Sequence, residues 1–232
     1  MPLYRTPVIC YFCGMRLYYC AITKLKDLRG AEYLSPGRRQ RLSRYLRQDD
    51  RTRCLLAGLL LRAVFGKEKY KRIAVDDRGK PHLAGGDFFS LSHSGDYVIL
   101  AVAGCRVGVD IEKVVPSAGF IEADCLTDQE RAWLSAENSE RAFFELWTGK
   151  ESVMKATGLG FRLSPKSVDV APATRGFYNV LGKDWFLQWR DFFDCSLCVA
   201  TEEEEAIRFV PLDPEELLAA IAENAPLAHS GG

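Results

Sequence analysis

Long apolar runs are missing from this chain. No stretch approaches the roughly 18 to 20 apolar residues that a membrane-spanning helix requires, and the amino terminus lacks the basic-then-apolar pattern of a secretion signal. The expectation is a cytoplasmic protein. Net charge is also missing, since 31 Lys/Arg balance 31 Asp/Glu. No Lys/Arg stripe interleaved with aromatics runs through the sequence, which argues against bulk nucleic-acid binding. Nor do the eight cysteines form a disulfide-like framework, because each sits in an apolar context suited to a small buried hydrophobe in a reducing compartment. Cys10/Cys13 and Cys195/Cys198 have the CxxC spacing, but residues three apart on a strand face opposite ways, so no zinc site is expected.

What is present is 232 residues, 47% hydrophobic and 27% charged, enough for one large domain or two small ones. The charge is unevenly spread: residues 1–116 carry 21 Lys/Arg against 11 Asp/Glu (+10), and residues 117–232 carry 10 against 20 (−10). A cleft with a basic wall for a polyanion and an acidic wall for a metal would show this pattern, as would two halves attracting one another.

The run from Phe143 to Lys155 reads as one helix, because Phe143, Trp147, Lys150, Glu151, Met154 and Lys155 share one stripe. Half of that stripe is apolar and half charged, so Glu151 and Lys155 need partners beside a Trp/Met seam. Ions or substrate would serve; an ordinary i,i+4 Glu–Lys pair is the plainer alternative.

Upstream, Leu17–Thr23 reads as a strand, and Ser35-Pro36 caps a helix reaching about Leu46. Seven arginines and no lysine lie between Arg38 and Arg53, which favours bidentate contact with phosphate or carboxylate over a merely solvated face. A core helix covers about Arg51–Phe65 and stops at Gly66. Asp77–Pro81 is a turn that exposes Lys80, and 88–91, 97–103 and 106–112 read as strands, the last two forming a hairpin across Gly104-Cys105. Val114–Gly119 is the candidate boundary between halves 1–115 and 116–232. Beyond it the order of helix, glycine-terminated helix and strands recurs, with a helix from Thr127 and strands at 167–170, 185–189 and 195–200. A solvated acidic turn at Glu202–Glu205 and an amphipathic helix at 214–224 close the chain. The fold class is α+β: two similar α+β halves packed as a pseudo-dimer.

Asp110 and Glu112 stand two apart on a strand, hence on one face, roughly 6 to 7 Å apart along it. Two like charges on an apolar strand are costly unless a cation bridges them. With Glu151 they make a three-carboxylate oxygen site suited to magnesium. Ser90-Leu91-Ser92-His93-Ser94-Gly95 places a histidine in a Ser/Gly loop directly after a strand, able to hold an anion; a histidine merely hydrogen-bonded at a turn is the alternative.

Ser92-His93-Ser94-Gly95, Gly108-Val109-Asp110-Ile111-Glu112 and Trp147-Thr148-Gly149-Lys150-Glu151 with Lys155, in this order and at these separations, resemble the 4'-phosphopantetheinyl transferases of the Sfp type. The likeness runs from about Ser35 to Phe161. It implies coenzyme A bound between the halves, magnesium, and transfer of the phosphopantetheine arm to a carrier-protein serine. Asp110, Glu112 and Glu151 would be metal ligands. Ser92 would contact substrate, His93, Lys150 and Lys155 its pyrophosphate region, Arg38 and Arg41 the 3'-phosphate, Arg53 the adenine side, and Lys80 would serve in the Gly-Lys-Pro motif. Cys54 stands where some members have threonine. Glu151, Lys155 and Glu130 are the expected catalytic residues, although Thr127–Glu130 is also a capping box that explains Glu130 by itself. The partner would be an apo acyl or peptidyl carrier protein of fatty-acid, polyketide or nonribosomal-peptide synthesis, with no nucleic acid or membrane, and two fused halves would complete the site as a monomer. The rival readings are a non-catalytic coenzyme A or carrier-protein binding module and a magnesium-dependent pyrophosphate hydrolase.

Overall fold

The computed structural model describes residues 14–224 apart from 26, 78, 86, 117–124 and 138, and the fold is α+β. Strand β1 (Met15–Ala21) is apolar at nearly every position because both its faces are covered. Met15 and Leu17 enter one core, while Tyr18 and Cys20 enter another, as the two-residue period of a strand requires. Helix α1 (Pro36–Arg44) starts where Ser35 Oγ accepts the Arg38 N–H, with proline in its first turn. Helix α2 (Gln48–Lys71) is interrupted at Gly66, whose φ of 71° and ψ of 169° no helix tolerates. The helix read from sequence thus ends at its glycine, and one further turn follows it. On α2 the fully buried Leu55, Leu56, Leu59 and Leu60 each contribute about 1.5–3 kcal/mol of transfer free energy, which makes α2 the main anchor of the first half.

Strands β2 (Ala74–Val75) and β3 (Pro81–His82) form a small hairpin. Then come β4 (Phe88–Ser94), β5 (Tyr97–Ala103) and β6 (Val107–Lys113), followed by α3 (Asp128–Glu137) and α4 (Glu140–Thr157). The chain continues through β7 (Gly176–Val180), β8 (Lys183–Phe192), β9 (Cys195–Thr201), β10 (Ile207–Pro211) and α5 (Pro214–Ala222). One sheet has the order β10-β1-β5-β4 and the other β6-β9-β8-β7. Helix α2 covers the first sheet and α4 the second, and between the sheets lies a third core containing Met15, Ile99, Val109 and Leu197. No helix among the described residues is long and apolar enough to cross a membrane.

Four sequence expectations are corrected. Strands β5 and β6 are not a hairpin: β5 already has β1 and β4 on its two edges, so Gly104-Cys105-Arg106 instead carries the chain to the other sheet, where β6 pairs with β9. Residues 167–170 are not a strand, because side chains instead of a neighbouring strand take their backbone groups; Lys150 binds the Pro165 and Val168 carbonyls, and Glu130 the Val170 N–H. Ser92 and His93 do not sit in a loop but on β4, paired opposite Ile99 and Val98, and the turn begins at Gly95. Finally, the sheets do not divide at 115/116, since β6 belongs to the second sheet while β10 returns to pair in parallel with β1. Cys195 and Cys198 point into different cores, as strand spacing requires. Cys10, Cys13 and residues 117–119 of the expected boundary lie outside the described residues.

Candidate active-site cleft

Alternation on β6 turns Gly108, Asp110 and Glu112 toward α4. A Cβ at Gly108 would lie 1.9 Å from the Ser152 carbonyl oxygen and 2.5 Å from the Ala156 nitrogen, so only glycine lets helix backbone rest on the strand here. Further along, Asp110 and Glu112 line a cleft, and α4 presents Trp147, Glu151 and Lys155 to the same space, one turn apart on the helix face. All three candidate metal carboxylates therefore belong to the second sheet and its helix.

This wall is short of positive charge. Lys155 Nζ lies 2.6 Å from Asp110 Oδ1 and 3.0 Å from Ser92 Oγ. Asp110 is 2% exposed, and its Oδ2 is buried with no hydrogen-bond partner. Burial, followed by the Asp110 charge, pushes the Glu112 carboxyl up to about 7. Burial also raises Glu151, with Asp110 adding to the rise and Lys155 opposing it. Among the described residues no three acidic, cysteine or histidine side chains stand gathered as a metal cluster; an ammonium occupies the Asp110 oxygen instead. An orphaned buried oxygen beside two carboxyls that are hard to ionise nevertheless suits a hard divalent cation, whose ligands are carboxylate oxygens and water.

The facing wall comes from the first sheet, its helices and the β2–β3 hairpin: Arg38, Arg41, Pro81, Leu91, Ser92 and His93. Arg38 lies across α2, where its Nη1 donates to the Cys54 carbonyl at 3.4 Å. The missing side chain of Gly58 makes room for it, since a Cβ there would sit 2.5 Å from Arg38 Cδ. Arg41 is exposed at the cleft rim. His93 is held below the ordinary imidazole pKa, first by desolvation against the wall and then by the Lys155 and Arg53 cations. Its charged form is therefore disfavoured relative to a free imidazole.

Comparison with known proteins identifies the assembly. The family model of the 4'-phosphopantetheinyl transferase superfamily matches residues 106–215. The chain is 30% identical over 159 residues to the 4'-phosphopantetheinyl transferase Sfp of Bacillus subtilis (strain 168), covering 64% of this chain and 71% of that protein. The chain belongs to the 4'-phosphopantetheinyl transferases. The 4'-phosphopantetheinyl transferase gsp of Aneurinibacillus migulanus is 34% identical over 143 residues, 55% of this chain and 57% of its own length. The L-aminoadipate-semialdehyde dehydrogenase-phosphopantetheinyl transferase of Xenopus laevis is 32% identical over 170 residues, 62% of this chain and 56% of that one.

Three residues expected at the substrate of a phosphopantetheinyl transferase, and Glu130, expected to be catalytic, are placed differently. Lys150 is fully buried, its Nζ 2.6 Å from Glu130 and bonded to the Pro165 and Val168 carbonyls. It faces away from the cleft, because at one residue from Glu151 it is rotated by about 100°. Glu130, also 0% exposed, accepts the Thr127 and Val170 N–H groups as well as Lys150. It completes the capping box and lies outside the cleft. Arg53 donates Nε and Nη2 to the Gly95 carbonyl and Nη1 to Asp50, clamping the β4–β5 turn behind His93. Lys80 is half-buried instead of exposed, and its Nζ donates to the Lys155 carbonyl in the last turn of α4, where the helix dipole favours a cation; burial lowers its pKa. Gly58 carries no sequence signal, and Ser94 and Gly108 stand in the motifs without a role assigned to them. The available signal was the shared alternation of Gly108-x-Asp110-x-Glu112 with Ser90-x-Ser92-x-Ser94.

Proposed function

We propose that this cleft transfers the 4'-phosphopantetheine arm of coenzyme A to a serine of an apo acyl or peptidyl carrier protein, in the cytoplasm, with magnesium as cofactor. The observation that carries this reading is the meeting, in one cleft, of an acidic wall with an orphaned oxygen and a basic wall with arginines and a histidine. Arg38 and Arg41 are disposed to bind the 3'-phosphate, and His93 with Lys155 the diphosphate. Asp110, Glu112 and Glu151 would hold magnesium, which when bound neutralises diphosphate charge that grows as the leaving group departs.

In the transfer, the carrier serine oxygen attacks the β-phosphorus of coenzyme A and the bond to 3',5'-ADP breaks. The serine proton passes to a carboxylate of the acidic wall, Glu112 or Glu151, both of which burial biases toward the protonated form. Lys155 leaves Asp110 to follow the diphosphate, exchanging one anionic partner for another. Holding both reactants in the cleft turns a bimolecular step into an effectively intramolecular one.

Incubation with coenzyme A, magnesium and an apo carrier protein, read by intact mass, tests the proposal. The carrier should gain one phosphopantetheine and 3',5'-ADP should appear. Binding without mass change would leave a binding module, and cleavage of coenzyme A without carrier modification would leave a pyrophosphate hydrolase.

A further inference from the structure

The two sheets meet edge to edge where β4 faces β6, and no main-chain ladder joins them. Three serines take its place. Ser90, Ser92 and Ser94, at alternate positions of β4, accept the N–H groups of Val109, Ile111 and Lys113 at 3.1, 3.4 and 3.0 Å. Such a border would otherwise leave three strand N–H groups without partners. Each hydroxyl also has a proton to give. Ser92 donates to Asp110 Oδ1 and Ser94 to Glu112 Oε2, both at 2.7 Å. Ser90 stands opposite Gly108, where no carboxylate exists.

A hydroxyl that accepts a fixed N–H has its own donor directions narrowed, because one of its lone pairs is already committed and the proton must point elsewhere. The border between the sheets therefore aims both carboxylates. The first sheet supplies no carboxylate of the acidic wall, yet its serines set where those of the second sheet point. Ser92 is shared with Lys155, whereas Ser94 serves Glu112 and Lys113 alone.

We propose that Ser94 is a positioning residue for the divalent cation: anchored by the Lys113 N–H, it holds Glu112 alongside Asp110, so that the junction of the two sheets and cation affinity are set by one hydroxyl. This rests on the metal site of the proposed function. Hydrogen-bond partners that orient a metal ligand typically change metal affinity by roughly 10- to 100-fold when removed.

The experiment compares Ser94→Ala and Ser94→Thr with wild type. Magnesium affinity is measured by calorimetry with coenzyme A present, coenzyme A affinity in EDTA, and exchange of the Lys113 amide by hydrogen–deuterium NMR. The expected result for Ser94→Ala is magnesium binding weakened about tenfold or more, coenzyme A binding in EDTA changed less than about twofold, and faster Lys113 exchange. Ser94→Thr, which keeps the hydroxyl, should recover most of the magnesium affinity. Faster Lys113 exchange with wild-type magnesium affinity would overturn the inference and leave the serine a structural staple. So would equal losses in Ser94→Ala and Ser94→Thr. A Ser94→Ala protein too unstable to titrate leaves Ser94→Thr to decide, since a threonine protein that folds but binds magnesium as poorly as the Asp110→Ala variant overturns the inference. Wild-type protein that binds no magnesium would overturn both this inference and the reading beneath it.

Discussion

Helix α4 carries two lysine–carboxylate pairs of the same length, and they do opposite things. Lys150–Glu130 and Lys155–Asp110 both have an N–O distance of 2.6 Å, but side-chain exposure is 0% and 0% in the first and 27% and 3% in the second. Around the first, the partners named above satisfy both Glu130 oxygens and give Lys150 three acceptors. Around the second, Asp110 Oδ2 has no partner and Glu112 resists ionising. A saturated ion pair holds a fold together, whereas an unsaturated one at a cleft has capacity left for a ligand. Distance alone does not separate the two; the count of remaining lone pairs does.

The most severe way to test that contrast is to break the saturated pair. Glu130→Ala leaves a buried ammonium without its counter-charge, at a cost of about 3–5 kcal/mol, measurable by urea unfolding. A Glu130→Ala protein of wild-type stability that bound coenzyme A but failed to transfer would make Glu130 catalytic and erase the distinction.

Breaking the unsaturated pair should affect chemistry before stability. Asp110→Ala should keep the fold and coenzyme A binding but lower the transfer rate roughly a hundredfold or more, as loss of several kcal/mol of charge stabilisation implies; EDTA should mimic it. Near-normal turnover at saturating magnesium would remove Asp110 from the metal site.

The basic wall can be sharpened with a ligand lacking one phosphate. Replacing Arg38 and Arg41 by alanine should weaken coenzyme A binding roughly 10- to 150-fold, the range for charge-assisted hydrogen bonds. Dephospho-coenzyme A should hardly notice, because the lost contact is already absent from that complex. Equal losses for both ligands would mean that the arginines sense overall charge or hold the fold.

The smallest effect concerns pH. Glu112 has a folded pKa of about 7 against an ordinary 4.5, so the folded protein retains a proton that the unfolded chain has lost. Its contribution to stability is complete below about 4.5 and disappears as pH rises through about 7. Magnesium competes with that proton, so the increase in Tm on adding magnesium should grow from pH 5 to pH 8. A constant increase across this range would place the cation away from Glu112.

Desolvation of His93 and the cations around it act in the other sense, yet neither was readable before the fold existed. Local chemistry was readable. The Ser35-Pro36 cap, the stop at Gly66, the Thr127–Glu130 capping box and the amphipathic face of α4 are interactions between residues within a turn or two of each other. So was the carboxylate pair of β6, since strand alternation places Asp110 and Glu112 on one face in any fold.

Which sheet β6 joins was not local. Its hydrophobic pattern fits pairing with β5 or with β9 equally well, and only the prior occupation of both β5 edges sends it across to β9. The same holds for Lys150 and Lys155. Sequence puts both on one helix at a spacing of five residues, but one faces Glu130 and the other faces Asp110 because the packing of α4 against β6 and the 160–171 segment chose the rotation. Residue type and periodicity determined which groups this protein has for binding phosphate and cation. Tertiary packing decided which of them remain unsatisfied, because desolvation and hydrogen-bond saturation depend on neighbours that arrive from distant parts of the chain.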